Sequence, residues 1–367
     1  MILYLIPLVI AFICAIEYDI NGKKYGKGYW WSLLFVYMTL FMGLRYGVGG
    51  DTINYMRDYE WTPVISNYTI ISLNRYDPGF NLLMSIGKTF SKEFVSFQIL
   101  HILILNSLLF AIIKKFTRYW FSAFFFSLFV FYYYYSTEIL RESLAVLCFV
   151  LNYNNLIKKK WLRYYFVIII CALLHRSALF LAVLPMFTGL RFNRKYMFIL
   201  AGTFVSGIIL NRFLSQLGSD NIISDGISRY SGEGSHGMLA DLLRFSRLAV
   251  FPFLFAIYVK YYTKKAGDLK FENMLAIMII FGTLAFYSPI IFSRLCNYFK
   301  VFFVLSFTTA FINLAKLKYQ VIRRNVCIIF TVFVLIYGSE YLMYNYYTRL
   351  IPYYSVFNPV DVNRNSF

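Results

Sequence analysis

Phe94-Val-Ser-Phe-Gln-Ile-Leu-His101-Ile-Leu-Ile-Leu-Asn106-Ser-Leu-Leu-Phe-Ala-Ile-Ile113 is closed by Lys114 and Lys115. About 20 such residues in a helix cross a bilayer, and a lysine pair at the end of the run marks its cytoplasmic side. The same punctuation recurs along the chain: Lys23, Lys24 and Lys27; Lys158, Lys159 and Lys160; Lys264 and Lys265; Lys316 and Lys318. Eight of the 18 arginines stand at the other ends of the apolar runs, beside acids and aromatics: Arg45, Arg57, Arg75, Arg141, Arg176, Arg229, Arg244 and Arg294. Arginine kept on the far side runs against the positive-inside rule and needs another reason. Its planar fork binds phosphate and carboxylate in two-pronged fashion. The pattern predicts a membrane protein with an outward-facing anion site.

Composition agrees. Hydrophobic residues make up 60% of the chain and charged residues 14%, far from the balance of soluble domains. The formal charge of +19 suits basic loops at an anionic leaflet. Nucleic acid is excluded as a partner, because no soluble basic domain carries the charge. The apolar opening, Met1 to Ile16, lacks a basic leader and a small-residue cleavage site, and is read as a retained helix. Cys14, Cys148, Cys171, Cys296 and Cys327 are scattered without CxxC spacing and imply neither metal nor redox chemistry.

Threading on the lysines predicts an all-α polytopic integral membrane protein with about 11 to 14 transmembrane or half-spanning helices in one membrane domain, 1–367. Helices are expected over roughly 1–17, 29–44, 94–113, 119–136, 138–157, 195–213, 238–260, 272–290, 295–314 and 326–344. An outer loop, 45–78, leads to a re-entrant helix over 78–91, which is too short to span easily. Two short arms between Lys160 and Arg191 meet near His175. Further outer segments are the Gly/Ser-rich loop 215–237 and the tail 345–367.

Five groups of residues could carry chemistry. Gly43-Leu-Arg45-Tyr-Gly-Val-Gly-Gly-Asp51-Thr-Ile-Asn-Tyr55 combines an outward arginine with glycines that let backbone approach a ligand. It reads equally as a helix cap with an Arg–Asp salt bridge. Asn74-Arg75-Tyr76-Asp77-Pro78-Gly79-Phe80 reads as a helix start, with Asp77 as the cap, and helix starts favour anions. Ser136-Thr-Glu138-Ile-Leu-Arg141-Glu142 places Glu138 and Arg141 on one helical face. An ion pair there is costly unless it faces a wet cavity. Leu174-His175-Arg176 interrupts an apolar run with the usual proton acceptor near neutral pH. Asp241 with Arg244, and Arg294 at the head of an inward-going helix, complete the set. His101 has no polar company and is expected to be structural. Tyr132–Tyr135 reads as an interfacial belt, with sugar stacking as a second use. No DxD, HExxH, P-loop or Rossmann pattern is present. Neither a metal nor a cofactor is expected.

The order of these motifs is similar to that of the EpsG family of Wzy-type bacterial polysaccharide polymerases. The resemblance rests on Arg45 then Gly-Asp51-Thr-x-x-Tyr55, on Asp77-Pro-Gly-Phe, on Ile-Leu-Arg141-Glu142-Ser-Leu-Ala145 and on Leu-Leu-His175-Arg-Ser-Ala-Leu, over roughly 40–320. The family often carries Arg-Gln at Arg141-Glu142 and Glu-Pro at Asp77-Pro78. The resemblance implies a GT-C-like glycosyltransferase of the inner membrane, with its site on the periplasmic or exterior face. It would join undecaprenyl-diphosphate-linked oligosaccharide repeat units, with the growing glycan as donor and the lipid diphosphate as leaving group. The product would be O-antigen of lipopolysaccharide, capsule or exopolysaccharide. A flippase and a chain-length regulator of the same pathway would be its partners.

On that reading Arg45, Arg75, Arg141 and Arg294 meet the diphosphates, with Arg176, Arg244, Asp77 and Tyr55 as further substrate contacts. His175 is the first candidate base and Asp51 the second, with Glu138 as another catalytic carboxylate. A lipid-linked oligosaccharide flippase, a polysaccharide ligase and a membrane O-acyltransferase are the rivals.

Overall fold

The computed structural model describes residues 2–69, 76–217, 238–262, 269–343 and 350–359. The chain is an all-α polytopic membrane protein. Five described helices are long and apolar enough to cross a bilayer: Leu3–Ile20, Phe94–Phe116, Leu239–Lys260, Ile291–Ala315 and Gln320–Ser339. Shorter apolar helices stand between them, among them Trp161–Leu174, Arg176–Phe187 and Glu272–Leu284. The chain divides into two compact units, one formed by 1–185 with 340–367 and the other by 186–339.

The first unit begins with α1 (Ile2–Cys14), prolonged by a π-helical turn to Ile20, and α2 (Lys27–Gly43). α3 (Thr52–Glu60) and α4 (Pro78–Phe90) follow, then α5 (Phe94–Phe116). Next come α6 (Trp120–Ser127), a π-helical turn over Leu128–Tyr132, and α7 (Tyr133–Thr137). α8 (Leu140–Ile157) and α9 (Trp161–Leu174) complete the α-helices, and a 3-10 helix over Arg176–Phe187 succeeds them.

α5 is the central element, packed against α2, α4 and α8. Its few polar side chains explain how it sits there. Buried polar groups need partners, all the more where no water reaches. Gln98 donates to the carbonyls of Gly43 and Arg45, both at 2.7 Å. Asn106 donates to Thr39 and accepts from the Tyr132 hydroxyl. His101 meets the Leu140 carbonyl at 2.8 Å, in keeping with a structural role. Together these contacts fix the rotation of α5 against α2, the Leu128–Tyr132 turn and α8.

The lysine group with Lys27 and Lys114 and the arginine group with Arg45 and Arg141 lie at opposite ends of this unit, although Lys88 stands near the second and Arg118 beside the first. At one end Lys27 and Lys114 both lie over the Trp120 ring, and Lys27 is paired with buried Asp19 at 3.1 Å. At the other end of α5, a run of 23 residues or roughly 34 Å, stand Arg45, Arg141 and His175. An aromatic cluster of Tyr55, Tyr59, Phe80 and Phe97 underpins that second end.

The second unit contains Arg194–Leu217 and a run of alternating α and π turns from Met238 to Tyr262. Glu272–Leu284, Pro289–Ala315 and the long helix beginning at Gln320 complete it. The expected helix over 272–290 ends earlier and its successor starts earlier, because Pro289 opens the next helix. Gly282 lets the Glu272 helix press against the Leu248 carbonyl, where a Cβ would fall at 2.5 Å.

Candidate active site

Three sequence-distant motifs converge in the first unit. Asp77 takes the N-cap position of α4, with Pro78 in the first turn. Its backbone is extended, and its carbonyl accepts from the amides of Phe80 and Asn81. Its carboxylate does not cap the helix and turns elsewhere. One oxygen, Oδ2, lies 3.4 Å from His175 Nδ1 and 3.7 Å from Arg141 Nη1. The three side chains are each about 13 to 26% exposed.

Local chain geometry presents each member. His175 ends α9 in an extended conformation and separates it from the 3-10 helix, so its ring leaves the helical surface. Arg141 stands in the first turn of α8, just after the break at Glu138 and Ile139. Gly79 brings α4 against the end of α9: a Cβ there would lie 2.9 Å from the Leu173 carbonyl oxygen.

Aromatic groups hold the guanidinium. Arg141 lies over the Tyr76 ring at 4.5 Å, and the buried Tyr55 lies close to it. Tyr76 in turn donates a very short hydrogen bond to Asp58. Arg141 Nε has no acceptor among the described residues.

A second polar centre adjoins the first through Tyr55, which feels Arg141, Asp51 and Glu138 together. Glu138 accepts from the backbone amides of Gly50 at 2.7 Å and Asp51 at 3.0 Å, one on each oxygen. Gly49 permits this approach with a φ of +109°, and a Cβ there would lie 2.8 Å from Thr137. Burial is the main reason the Glu138 carboxyl is raised to about 7 from its ordinary 4.5. The two amides oppose that rise, Asp51 adds to it, and Arg45 opposes it.

Arg45 is wholly buried. Its Nη1 donates to the Met42 carbonyl at 2.5 Å, while Nε and Nη2 have no acceptor among the described residues. The C-terminal segment covers it. Tyr46 donates to the Tyr354 carbonyl and Val356 to the Leu44 carbonyl, and the Tyr353 hydroxyl reaches Phe41. Arg45 and Ser355 form an isolated bridge.

The structure therefore brings together Asp77, Arg141, His175 and Tyr55, with Glu138 and the Asp51 backbone alongside. The Asp51 side chain is exposed, as is Arg176. Arg75 lies outside the described residues. Arg244 is paired with Asp241 at 3.0 Å in the second unit, and Arg294 is exposed there. Sequence reasoning missed Tyr76, Asp58 and Gln98. Asp58 stands three residues after Tyr55 on α3, a spacing that puts both on one face.

These features define a multi-pass membrane protein with an arginine, a histidine and a carboxylate gathered at one end of its first unit. The chain belongs to the EpsG family, whose model matches residues 28–355. Membership supports a polysaccharide-polymerase type of function. No curated protein and no solved structure gives a match.

Proposed function

We propose that the protein polymerises oligosaccharide repeat units carried on undecaprenyl diphosphate, on the outer face of the bacterial inner membrane. The growing glycan is the donor, its lipid diphosphate leaves, and a sugar hydroxyl of the incoming unit attacks. The observation that carries this reading is the sharing of Asp77 Oδ2 between His175 and Arg141. A base oriented by a carboxylate, next to a cation, is what glycosyl transfer from a diphosphate requires.

Each group then has a task. Asp77 accepts from Nδ1–H of His175, which directs the ring's basic lone pair to Nε2. Nε2 takes the proton of the attacking hydroxyl. Arg141, held flat by Tyr76, meets the negative charge that develops on the departing diphosphate, and exposed Arg176 adds to the field. Asp77 becomes a positioning residue rather than a substrate contact. Glu138 does the same for the Gly49–Asp51 loop, since both its oxygens are engaged by backbone amides. No metal is assigned a part.

The test is a gel profile of lipid-linked glycan from deletion cells complemented with wild-type or Arg141→Ala protein. Single repeat units accumulating in the deletion, with a ladder restored only by wild type, is the expected result. Full polymer from the Arg141→Ala cells removes the diphosphate role of that residue. Long unattached polymer in the deletion points to a ligase, and units held on the cytoplasmic leaflet point to a flippase.

A further inference from the structure

A cavity of about 180 Å³ is lined by close chain neighbours of Asp77, Arg141 and His175. Its lining is apolar and comes from four helices of the first unit. Gly79, Leu83 and Ile86 lie on α4, Leu108 on α5, Leu144 and Cys148 on α8, and Leu174 on α9. Chain geometry fixes its direction. Gly79 is two residues beyond Asp77, and Leu174 immediately precedes His175. Leu144 and Cys148 lie one and two turns below Arg141 on the same helix. At 1.5 Å per residue, Cys148 lies roughly 10 Å along α8 from Arg141, toward the Lys115 end of α5, whereas α4 runs from Asp77 toward the start of α5, so the trough flanks the cluster and leaves it along α8. Leu82 on the rim is 38% exposed, so the trough is open to its surroundings.

We infer that this trough receives the first isoprene unit of the lipid diphosphate, while Arg141 and Arg176 hold its phosphates. The inference rests on the polymerase reading and deepens it. The shape matches an amphiphile whose anionic head sits at a cationic mouth and whose hydrocarbon descends away from it. A cavity of roughly 150 Å³ lined by aliphatic side chains stays dry and takes one benzene. The trough therefore holds about one five-carbon unit, and the remaining chain lies in the bilayer. A wide acyl-chain channel is not what the four helices build. They grip only the segment next to the diphosphate, which is the segment whose position sets where the sugar carbon lies relative to His175.

This also gives the small residues a purpose. Gly79 and Cys148 leave the room that larger side chains would fill. Filling the trough should displace the hydrocarbon without touching any charged group.

The experiment uses the full chain in phosphatidylcholine nanodiscs. The probe is farnesyl diphosphate with a diazirine in its first isoprene unit, the one next to the diphosphate. Photolysis and peptide mapping are expected to place the label on Leu83, Ile86, Leu144 or Cys148. The same diazirine on farnesol, without phosphates, is expected to label the trough about ten-fold less. Cys148→Trp should lower the diphosphate probe's labelling by about ten-fold, whereas Cys148→Ser should leave it unchanged. Leu83→Trp repeats the test if Cys148→Trp does not fold. Equal labelling by farnesol makes the trough a general lipid groove and overturns the inference. So does label confined to the exposed face of α9, at Phe166 and Ile169. Labelling of the trough is read without any polymer being made. Loss of the glycan ladder reading and loss of the trough reading are thus separate results.

Discussion

At the scale of single residues, the Asp77–His175 contact makes a prediction that separates orientation from bulk packing. Asp77→Asn keeps the shape but presents an amide to His175, and His175→Gln removes the base. Each should lower turnover by about 10² to 10⁴, the range of positioned acid–base catalysis. If the two act as one device, the double variant should be no worse than the more damaged single variant. Turnover measured on lipid-linked repeat units with purified protein checks this, and multiplicative losses would show independent roles. Glu138 carries a different signature. Its folded pKa of about 7 exceeds the ordinary 4.5, so the folded state binds the proton more tightly than the unfolded chain. The stability contributed by this group is complete below about pH 4 and is lost as pH rises through about 7. At 1.36 kcal/mol per unit, the upper bound is about 3 kcal/mol. Glu138→Gln removes the titration. Wild-type melting temperature in nanodiscs should therefore fall more steeply between pH 5 and 8 than that of Glu138→Gln. Parallel profiles would show that another group governs this range.

At the scale of elements, the junction of α4 with α9 decides whether the site exists. A methyl at position 79 would meet backbone, the Leu173 carbonyl at 2.9 Å, and backbone cannot rotate away. Gly79→Ala should cost about 1–3 kcal/mol, the usual range for overpacking, and should reduce polymer by separating Asp77 from His175. Thermal unfolding with the glycan ladder checks both effects. Much of this element scale is legible in the sequence. Pro78 after an acid announces α4, the lysine pair closes α5, and His175 breaks an apolar run where two short helices do meet. The C-terminal strap is not legible in the same way. The Tyr353 hydroxyl reaches Phe41 across 312 residues, and Glu138 reaches Gly50 across 88. Local periodicity carries no information at such separations. That is why Arg45 reads from the sequence as an exposed phosphate ligand and is instead sealed beneath residues 350–358. A buried guanidinium with two nitrogens that meet no acceptor among the described residues is costly. Tyr353→Ala, which unfastens the strap at Phe41, should increase protease cleavage near residue 350 while leaving α5 intact.

For the whole molecule, charge bears on orientation. Within the first unit the group of Lys27, Lys114 and Lys115 and the group of Arg45 and Arg141 stand toward opposite ends of α5. Neither composition nor packing says which end faces the cytoplasm. On the proposed reading the lysine groups do, because Lys and Arg in short loops beside spanning helices are retained on that side. On the same reading Arg141 and Arg176, beside His175, stand against the bias because they meet an anionic substrate. Two exposed reporters distinguish the ends: Ser66, in the segment between α3 and α4, and Lys159, in the turn between α8 and α9. In a background without the five native cysteines, Ser66→Cys should react with a membrane-impermeant maleimide in intact spheroplasts. Lys159→Cys should react only after permeabilisation. The reverse pattern would put His175 and the arginines in the cytoplasm and would end the case for polymerisation on the outer face, because the lysine runs, not the site, would then need another explanation.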